Sequence, residues 1–482
     1  MTTKNIEREK AKAGRCVGQA APPGMARREF LKSGASVGAG LVLAAKAMAQ
    51  EEGIEKSAQP VVGPPPGETS ADQVNIAMIG LGAEGMVLMD AILRIPGIRI
   101  KAVCDIWEYS RQRGERTPQK YGHDVKAYED YRDMLAAHTD LDAAIVATPD
   151  FVHHEHTIAC LKSGMHVYCE KEMSNSVEKA REMVVAARET GKLLQIGHQR
   201  RSNPRYIHAI NRLVHEGKLL GQVTHANGQW NRAKSVDEGW PRQWEIPQAT
   251  LEKYGYDSMH HFRNWRWYKK YGGGPIVDLG SHQIDIFTWV FGCNPSAVLA
   301  AGGVDFYKNH EWYDNVMTIF DYDTPAGVSR AFYQVLTTSS NGGYFETFMG
   351  EEGTLIISEI PFSGNLMLRE ARAPEAIKEL WERVAKEGAL MRPLQQVVAA
   401  AADDVLVDVR ASKPPDAWEL PVQLNKPAHQ PHLENFFDAI RIGKALTCPA
   451  EIGYETAVAV HKVNDAVEAG RKLHFAPEEF VV

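Results

Sequence analysis

Three glycines and one acid in this sequence have the types and spacing that bind a dinucleotide. The pattern G-x-G-x-x-G occupies residues 80–85, with its glycines at Gly80, Gly82 and Gly85. Asp105 follows about 20 residues later. The first glycine of such a pattern makes the tight turn, the second lets the backbone approach the pyrophosphate, and the third allows close helix packing. The acid at the end of the next strand binds the ribose hydroxyls, so these residues predict a dinucleotide site.

The charge beside the ribose decides between NAD and NADP. Asp105 would repel the 2′-phosphate of NADP, and no arginine immediately follows it. The sequence therefore favours NAD, while Arg111 and Arg113 leave NADP as the alternative.

Three further residues could oxidise or reduce an alcohol. This reaction needs a hydride acceptor, a base for the hydroxyl proton, and a cation or donor that steadies the developing alkoxide. His282 is the candidate base, because imidazole titrates near neutrality. Asp278 lies four residues earlier, so on a helix it would share a face with His282 and either orient the imidazole or bind a neighbouring substrate hydroxyl. Lys171 follows an apolar run, which would place its ammonium at the carboxyl edge of a sheet, where ligands bind.

Two halves of the chain must position these groups. In residues 73–198, apolar runs alternate with helical stretches, which predicts an N-terminal Rossmann domain with a doubly wound parallel sheet. The predicted strands are 74–79, 98–103, 143–147, 165–168 and 193–196, and the predicted helices are 86–93, 153–163 and 175–190.

Longer β-type runs dominate residues 199–482. They predict a C-terminal α+β domain for substrate binding and oligomerisation, with a large, mostly antiparallel sheet. The runs are 223–230, 297–305, 316–322, 327–336, 345–348 and 354–357, and two helices follow around 430–442 and 451–469.

The N-terminus resembles a twin-arginine signal. Arg27 and Arg28 precede a weakly apolar run over 33–45 and then a small-residue cleavage pattern that ends at Ala49. We predict that residues 1–49 are removed near Ala49/Gln50, that residues 50–72 form a Pro-rich linker, and that the twin-arginine machinery exports the protein to the periplasm. The apolar run is too short for a stable membrane span, and an uncleaved interfacial anchor is the alternative. Met1 and Met25 are both candidate start residues.

The composition argues against a disordered chain, a collagen and a coiled-coil rod. The chain has 482 residues, of which 44% are hydrophobic and 24% charged, as in globular proteins of two or three domains. Its formal charge is −7, and because the leader is basic the remainder is more acidic still. An acidic body argues against a nucleic-acid partner.

Three motifs in sequence order resemble the glucose-fructose oxidoreductase / inositol dehydrogenase (Gfo/Idh/MocA) family. They are TPDFVH at 148–153, GMHVYCEK at 164–171 and GGGPIVDLGSHQID at 272–285, and residues 431–437 resemble the family's C-terminal return. The resemblance covers nearly all of the chain from residue 74. It implies oxidation or reduction of a sugar or cyclitol hydroxyl with a nicotinamide cofactor.

The resemblance also implies roles for individual residues. Lys171, Asp278 and His282 match the family's catalytic lysine and Asp/His pair. The residues implied on the cofactor side are Thr148, Pro149, His153, Glu170 and Lys171. His153, His154 and His156 with Glu155 mimic a metal cluster, but with His153 on the cofactor side we expect no metal.

Other residues are candidates for contact with the substrate. Arg200 lies near the predicted domain junction and could contact cofactor or substrate. Trp265 and Arg266 offer a flat apolar face and a cation that suit a sugar ring, although such aromatics are as often part of a core. Asp285 could be a surface acid or a supporting group. Glu172 stands where the family usually has proline, and it could perturb Lys171, contact the substrate or face solvent.

Three functions follow as expectations. The first is an NAD-dependent oxidoreductase that acts on a saccharide hydroxyl with a tightly held cofactor. The second is a glycosidase that cleaves its substrate by transient oxidation, elimination and re-reduction. The third is a non-catalytic saccharide-binding protein, which Lys171, Asp278 and His282 disfavour. Family analogy further suggests a homo-oligomer.

Overall fold

The computed structural model describes residues 73–360, 364–393 and 415–482. Both predicted domains therefore have described residues. The predicted leader, 1–49, and the predicted linker, 50–72, lie outside the described residues.

The first sheet confirms the predicted doubly wound parallel topology. Its six described strands are all parallel and follow the order β3-β2-β1-β4-β5-β6. The strands are β1 Val74–Ile79, β2 Ile98–Cys104, β3 Lys126–Tyr128, β4 Ala143–Val146, β5 His166–Cys169 and β6 Leu194–Ile196. The strand order reverses between β1 and β4, and a crevice at such a point is where ligands bind in these folds.

Helices cover both faces of this sheet. Those within the fully described stretch 73–198 are α1 Ala83–Ile92, α2 Glu108–Gln119, α3 Tyr131–Ala137, α4 Asp150–Lys162 and α5 Val177–Thr190. The sequence did not predict β3, α2 or α3. β3 has only three residues, and α2 is polar on all sides and contains Gly114 and Pro118, so neither shows an apolar period.

The second sheet is mostly antiparallel, as predicted. Among the described residues it has nine strands in the order β14-β13-β12-β11-β7-β10-β9-β8-β15, and only the β7–β10 pair is parallel. The strands are β7 Val223–Asn231, β8 Ala297–Gly303, β9 Asn315–Thr324, β10 Gly327–Leu336, β11 Tyr344–Gly350, β12 Gly353–Ile357, β13 Leu366–Arg369, β14 Asp416–Glu419 and β15 Leu473–His474.

The described residues of the second half also form helices. They are α6 Pro204–Ile207, a π-helix His208–Glu216, α7 Gln248–Lys253, α8 Met259–Arg263, α9 Gly274–Phe291, α10 Glu375–Lys386, α11 Gln430–Ile442 and α12 Ala450–Ala469. Helix α9 packs on β7 and β10 and against α12, which in turn packs on β8. Because α9 is buried along most of its length, the side chains that it projects are fixed by packing.

Candidate active site

The glycine loop between β1 and α1 has the shape that a pyrophosphate needs. Gly80 has a φ of 92°, and a Cβ there would lie 2.5 Å from the backbone of Ala147, so only glycine fits the turn. Gly82 has open space where a Cβ would be and lines the main cavity. The backbone of Gly82 is therefore open to a phosphate at the N-terminus of α1.

Asp105 stands in the wall of the same cavity. Its Oδ2 accepts the N–H of Leu81 and its Oδ1 accepts the N–H of Trp107, both at 2.8 Å. These bonds fix the carboxylate between the two loops that would flank a ribose. Arg111 donates to the carbonyl oxygens of Asp105 and Ile106, so its guanidinium is occupied, whereas Arg113 lines the cavity.

A cavity of about 850 Å³ joins the glycine loop to Lys171. Its wall contains the predicted cofactor residues Thr148, Pro149 and Glu170, and the predicted sugar-binding residues Trp265 and Arg266. A single space therefore connects the dinucleotide loop with Lys171, whereas Asp278 and His282 are not among the residues that line it.

His153 does not line this cavity. It is 1% exposed, and its ring nitrogens lie within hydrogen-bonding distance of the carbonyl oxygens of Glu172, at 2.7 Å, and Thr148. Burial lowers its pKa to about 4. His153 therefore joins the loops after β4 and β5, and the expectation that it contacts the cofactor is corrected to a supporting position.

Residues between 238 and 266 form one wall of the cavity. The indole N–H of Trp107 donates to the carbonyl of Trp244, and the guanidinium of Arg263 lies 4.9 Å from the centre of the Trp107 ring. These contacts join the segment between β7 and α9 to the Rossmann domain over the ribose end of the cavity.

Lys171 and Asp278 meet across the two domains. Lys171 Nζ lies 3.2 Å from Asp278 Oδ1 and also donates to the Asp278 carbonyl, while Arg266 Nε lies 3.2 Å from Asp278 Oδ2. Burial would raise the pKa of Asp278, but the charges of Lys171, Arg266 and Arg232 hold it well below its usual range. Asp278 is therefore ionised and binds two cations.

His282 lies one helical turn after Asp278 on α9, as the spacing predicted. It is 7% exposed, and its Nδ1 has no hydrogen-bond partner among the described residues. Burial and the charge of Lys171 hold its pKa well below the usual value, so the imidazole is neutral. Asp278 directs its two oxygens to Lys171 and Arg266, which corrects the expectation that it orients His282.

Burial decides two further expectations. Arg200 is 1% exposed and forms ion pairs with Glu346 and with Glu359, so it belongs to a buried charge network and not to the cavity wall. Asp285 is 1% exposed and pairs with Arg201 at 2.7 Å, which excludes a surface position.

Glu172 likewise does not face solvent. It is 1% exposed, its Oε1 accepts the N–H of Met173, and its Oε2 has no hydrogen-bond partner among the described residues. The Lys171–Glu172 peptide bond is cis. Burial raises the pKa of Glu172 to about 8, so it is largely protonated at neutral pH.

Glu84, Glu170 and His429 form a titratable group beside the glycine loop. One ligand-type atom from each lies within 4.8 Å of the others. Burial, and then the charge of Glu84, raise the pKa of Glu170 to about 8. Glu170 therefore holds a proton at neutral pH, which reduces repulsion towards Glu84 and towards a bound pyrophosphate.

Sequence reasoning missed four residues near the centre. Asp150 lines the cavity, and burial together with Asp278 raises its pKa to about 7. His198 is 1% exposed, and neither ring nitrogen has a partner among the described residues. Trp230 has its ring centre 5.3 Å from that of His282, and Arg232 lies over its ring. Asp150 belongs to the quoted TPDFVH motif, and His198 lies two residues before Arg200 in the segment predicted at the domain junction. No local signal marked Trp230 or Arg232.

The chain is similar to known oxidoreductases over most of its length. Residues 74–198 match the family described as "Oxidoreductase family, NAD-binding Rossmann fold", and residues 207–356 match the "GFO/IDH/MocA C-terminal domain". The predicted cofactor, NAD, is thereby confirmed. Among the residues that the structure describes, no helix has the length and apolar character to cross a membrane.

Individual relatives extend this comparison. An inositol 2-dehydrogenase of Rubrobacter xylanophilus is 25% identical over 355 residues, which cover 72% of this chain and 87% of that protein. Glycosyl hydrolase family 109 protein 2 of Shewanella sp. strain ANA-3 is 27% identical over 53% of this chain and 55% of its own length. Aldose-aldose oxidoreductase from Caulobacter crescentus, solved with glycerol, shares the fold with a TM-score of 0.61 and 19% identity, over 84% of this chain and 100% of that one. The chain belongs to the Gfo/Idh/MocA family of oxidoreductases.

Proposed function

We propose that this protein is an NAD-dependent oxidoreductase that acts on a hydroxyl of a sugar, glycoside or cyclitol and keeps its cofactor bound. One observation carries the proposal: the cavity that begins at Gly82 also reaches Lys171, which is paired with Asp278. The dinucleotide loop thus shares one space with Lys171, the member of the polar cluster that lines the cavity.

Each residue of this cluster has its own role in the proposed reaction. Bound NAD supplies the hydride acceptor. Lys171 presents an ammonium that steadies the developing alkoxide, and Asp278 holds that ammonium in place. His282 is neutral, so its imidazole can accept the hydroxyl proton. The exposed Arg266 lies over the ring of the buried Trp265 and presents its guanidinium at the adjacent wall, where a sugar ring would lie.

The segment 238–266, which covers one side of the cavity, supports the proposal that the cofactor stays bound. Residues 238–266 would have to separate from Trp107 before a dinucleotide could leave over that side. A retained cofactor must be returned to its starting state within the same active site. A second sugar can do this by accepting the hydride.

The alternative function is a glycosidase with a closed redox cycle. Oxidation of a ring hydroxyl would acidify the adjacent C–H, elimination would break the glycosidic bond, and re-reduction would complete the cycle. The similarity to a protein named as a glycosyl hydrolase of family 109 favours this candidate. It needs the same Lys171, Asp278 and His282.

The proposal includes the route and organisation of the chain. Residues 1–49 are a twin-arginine signal that sends the folded protein to the periplasm, and residues 50–72 are a linker. Residues 73–198 bind NAD, and residues 199–482 bind substrate and mediate oligomerisation. Reading the N-terminal residue of the protein recovered from the periplasm tests this division, with Gln50 as the expected start.

The open face of the large sheet supports a homo-oligomer. Leu299, Ile319 and Phe332 form a row across β8, β9 and β10, and they are 42%, 42% and 37% exposed. A second copy would bury this apolar row. Ile319→Lys should lower the molecular mass measured by light scattering, and an unchanged mass would exclude this face.

The experiment that decides between the functions omits added nucleotide. The purified mature protein is incubated with simple and aryl glycosides while reduced-nicotinamide absorbance and released aglycone are both followed. Bound NADH that accumulates and is discharged only by a second, oxidised sugar indicates the oxidoreductase. Aglycone release over many turnovers without lasting NADH indicates the glycosidase, and neither signal, with saccharide still bound, indicates a binding protein.

A further inference from the structure

Arg232 is an exposed arginine that lies over the ring of Trp230. It directly follows β7, its backbone N–H donates to the carbonyl of Leu336, and its side chain is exposed. Among the residues that the structure describes, its guanidinium forms no ion pair and donates no hydrogen bond. Arg232 lies over the ring of Trp230, 5.3 Å from the ring centre. Stacking of this kind holds a guanidinium in place and leaves its N–H groups free for a ligand.

This arginine lies beside the proposed catalytic group. The Trp230 ring that supports it lies 5.3 Å from the ring of His282. Its charge also contributes, after Lys171 and Arg266, to the low pKa of Asp278. Arg232 therefore lies next to the proposed base, and its charge acts on Asp278.

The nearby acids do not balance this charge. Asp278 is shared by Lys171 and Arg266, so two cations already bind one carboxylate. Asp150 and Glu172 are buried with pKa values raised to about 7 and about 8, so both are partly or largely neutral at neutral pH.

Other carboxylates in this region bind other arginines. Glu346 and Glu359 form ion pairs with Arg200, and Asp285 forms an ion pair with Arg201. An excess of positive charge thus remains at Arg232, next to Trp230.

We propose that the substrate is an acidic saccharide, a sugar or glycoside that bears a carboxylate, and that Arg232 binds this carboxylate. The planar guanidinium can donate two parallel hydrogen bonds to the two carboxylate oxygens. This inference names the substrate class of the proposed function and rests on it. Arg232 determines specificity, while Lys171, Asp278 and His282 act on the hydroxyl.

Equilibrium binding tests the proposal without requiring turnover. Calorimetry on the NAD-loaded protein compares matched pairs that differ only in the carboxylate: glucuronate with glucose, galacturonate with galactose, and mannuronate with mannose, each also as its methyl glycoside. At least one acid should bind about 10- to 100-fold more tightly than its neutral partner, the range expected for one charge-assisted contact. Added salt should reduce this preference.

Two variants distinguish a specific contact between Arg232 and the carboxylate from a general electrostatic attraction. Arg232→Gln should remove the preference and leave binding of the neutral sugar unchanged. Lys234→Gln is the matched control, because Lys234 is an exposed cation only two residues further along, and it should keep the preference. The proposal is overturned if no acid in the panel binds more tightly than its neutral partner, or if Arg232→Gln binds the acids as the wild type does. Turnover of neutral sugars with no acid preference would contradict this inference alone, whereas tight acid binding without any nicotinamide reduction would contradict the proposed function alone.

Discussion

Lys171 Nζ lies 3.2 Å from Asp278 Oδ1, although 107 positions separate the two residues in the sequence. Lys171 follows β5 at the carboxyl edge of the parallel sheet, and Asp278 lies on α9 of the second domain. This pair therefore joins the NAD-binding Rossmann domain to the second domain at the place proposed for the reaction.

Replacement of Lys171 should stop the reaction and spare the cofactor. Lys171→Met removes the ammonium that steadies the alkoxide, so kcat should fall about 100- to 1,000-fold, as when one such donor is lost. Bound NAD per protein, measured after denaturation, should stay unchanged, since the glycine loop and Asp105 remain. Lys162→Met, on the exposed side of α4, is the control. A kcat close to that of the wild type would exclude Lys171 from the chemistry.

Asp105→Asn should weaken NAD binding and reduce discrimination against NADP. The change removes the negative charge that faces the ribose, and the amide can accept only one of the two N–H groups that now bind the carboxylate. We expect the Kd for NAD to rise about 10- to 100-fold and the Kd for NADP to fall relative to it. Asp90→Asn, an exposed acid on α1, controls for charge. Unchanged nucleotide preference would show that Asp105 does not read the ribose.

Glu172→Gln should make the stability less dependent on pH. Burial raises the folded-state pKa of Glu172 from 4.5 to about 8, so between these values the folded protein holds a proton that the unfolded chain releases. The free energy of unfolding contributed by this group therefore falls as pH rises through that window. The melting temperature of Glu172→Gln should equal that of the wild type near pH 5 and exceed it above pH 8. If the melting temperatures of the two proteins changed in parallel between pH 5 and pH 8, Glu172 would not be a buried, protonated group.

Arg200 should act through stability and not through substrate binding. Arg200→Met leaves Glu346 buried without its cation, and breaking such a pair costs about 3–5 kcal/mol. The midpoint of urea unfolding should fall accordingly, and a second change, Glu346→Gln, should recover part of the loss. Substrate KM of the folded fraction should stay unchanged. A raised KM with full stability would restore Arg200 as a substrate contact.

The parallel sheet and the glycine loop could be predicted because their signals are local. An apolar strand, three glycines and one acid fix β1, the turn and the end of β2 without reference to the rest of the chain. The helical spacing of Asp278 and His282 was equally local, and α9 confirms that they share a helix. The weakly apolar β3 and the polar helix α2 carry no such period and were missed.

The corrected residues depend on contacts that no local pattern contains. Arg200 is neutralised by Glu346 and Glu359, which lie 146 and 159 positions away. Asp278 binds Lys171 and Arg266 instead of His282 because three chain segments converge at the N-terminal part of α9. Spacing predicted which residues meet on one helix, but it could not show which distant charges compete for them.

Reduction of bound nicotinamide in wild type and His282→Asn tests the central claim most directly. Both proteins are matched for NAD content and mixed with a saccharide that reduces the wild type, and the first turnover is followed by reduced-nicotinamide absorbance. Loss of the base should slow this step by about 100-fold or more, with NAD content unchanged. A first turnover at the wild-type rate would contradict the assignment of proton transfer to His282 and the active site built around it.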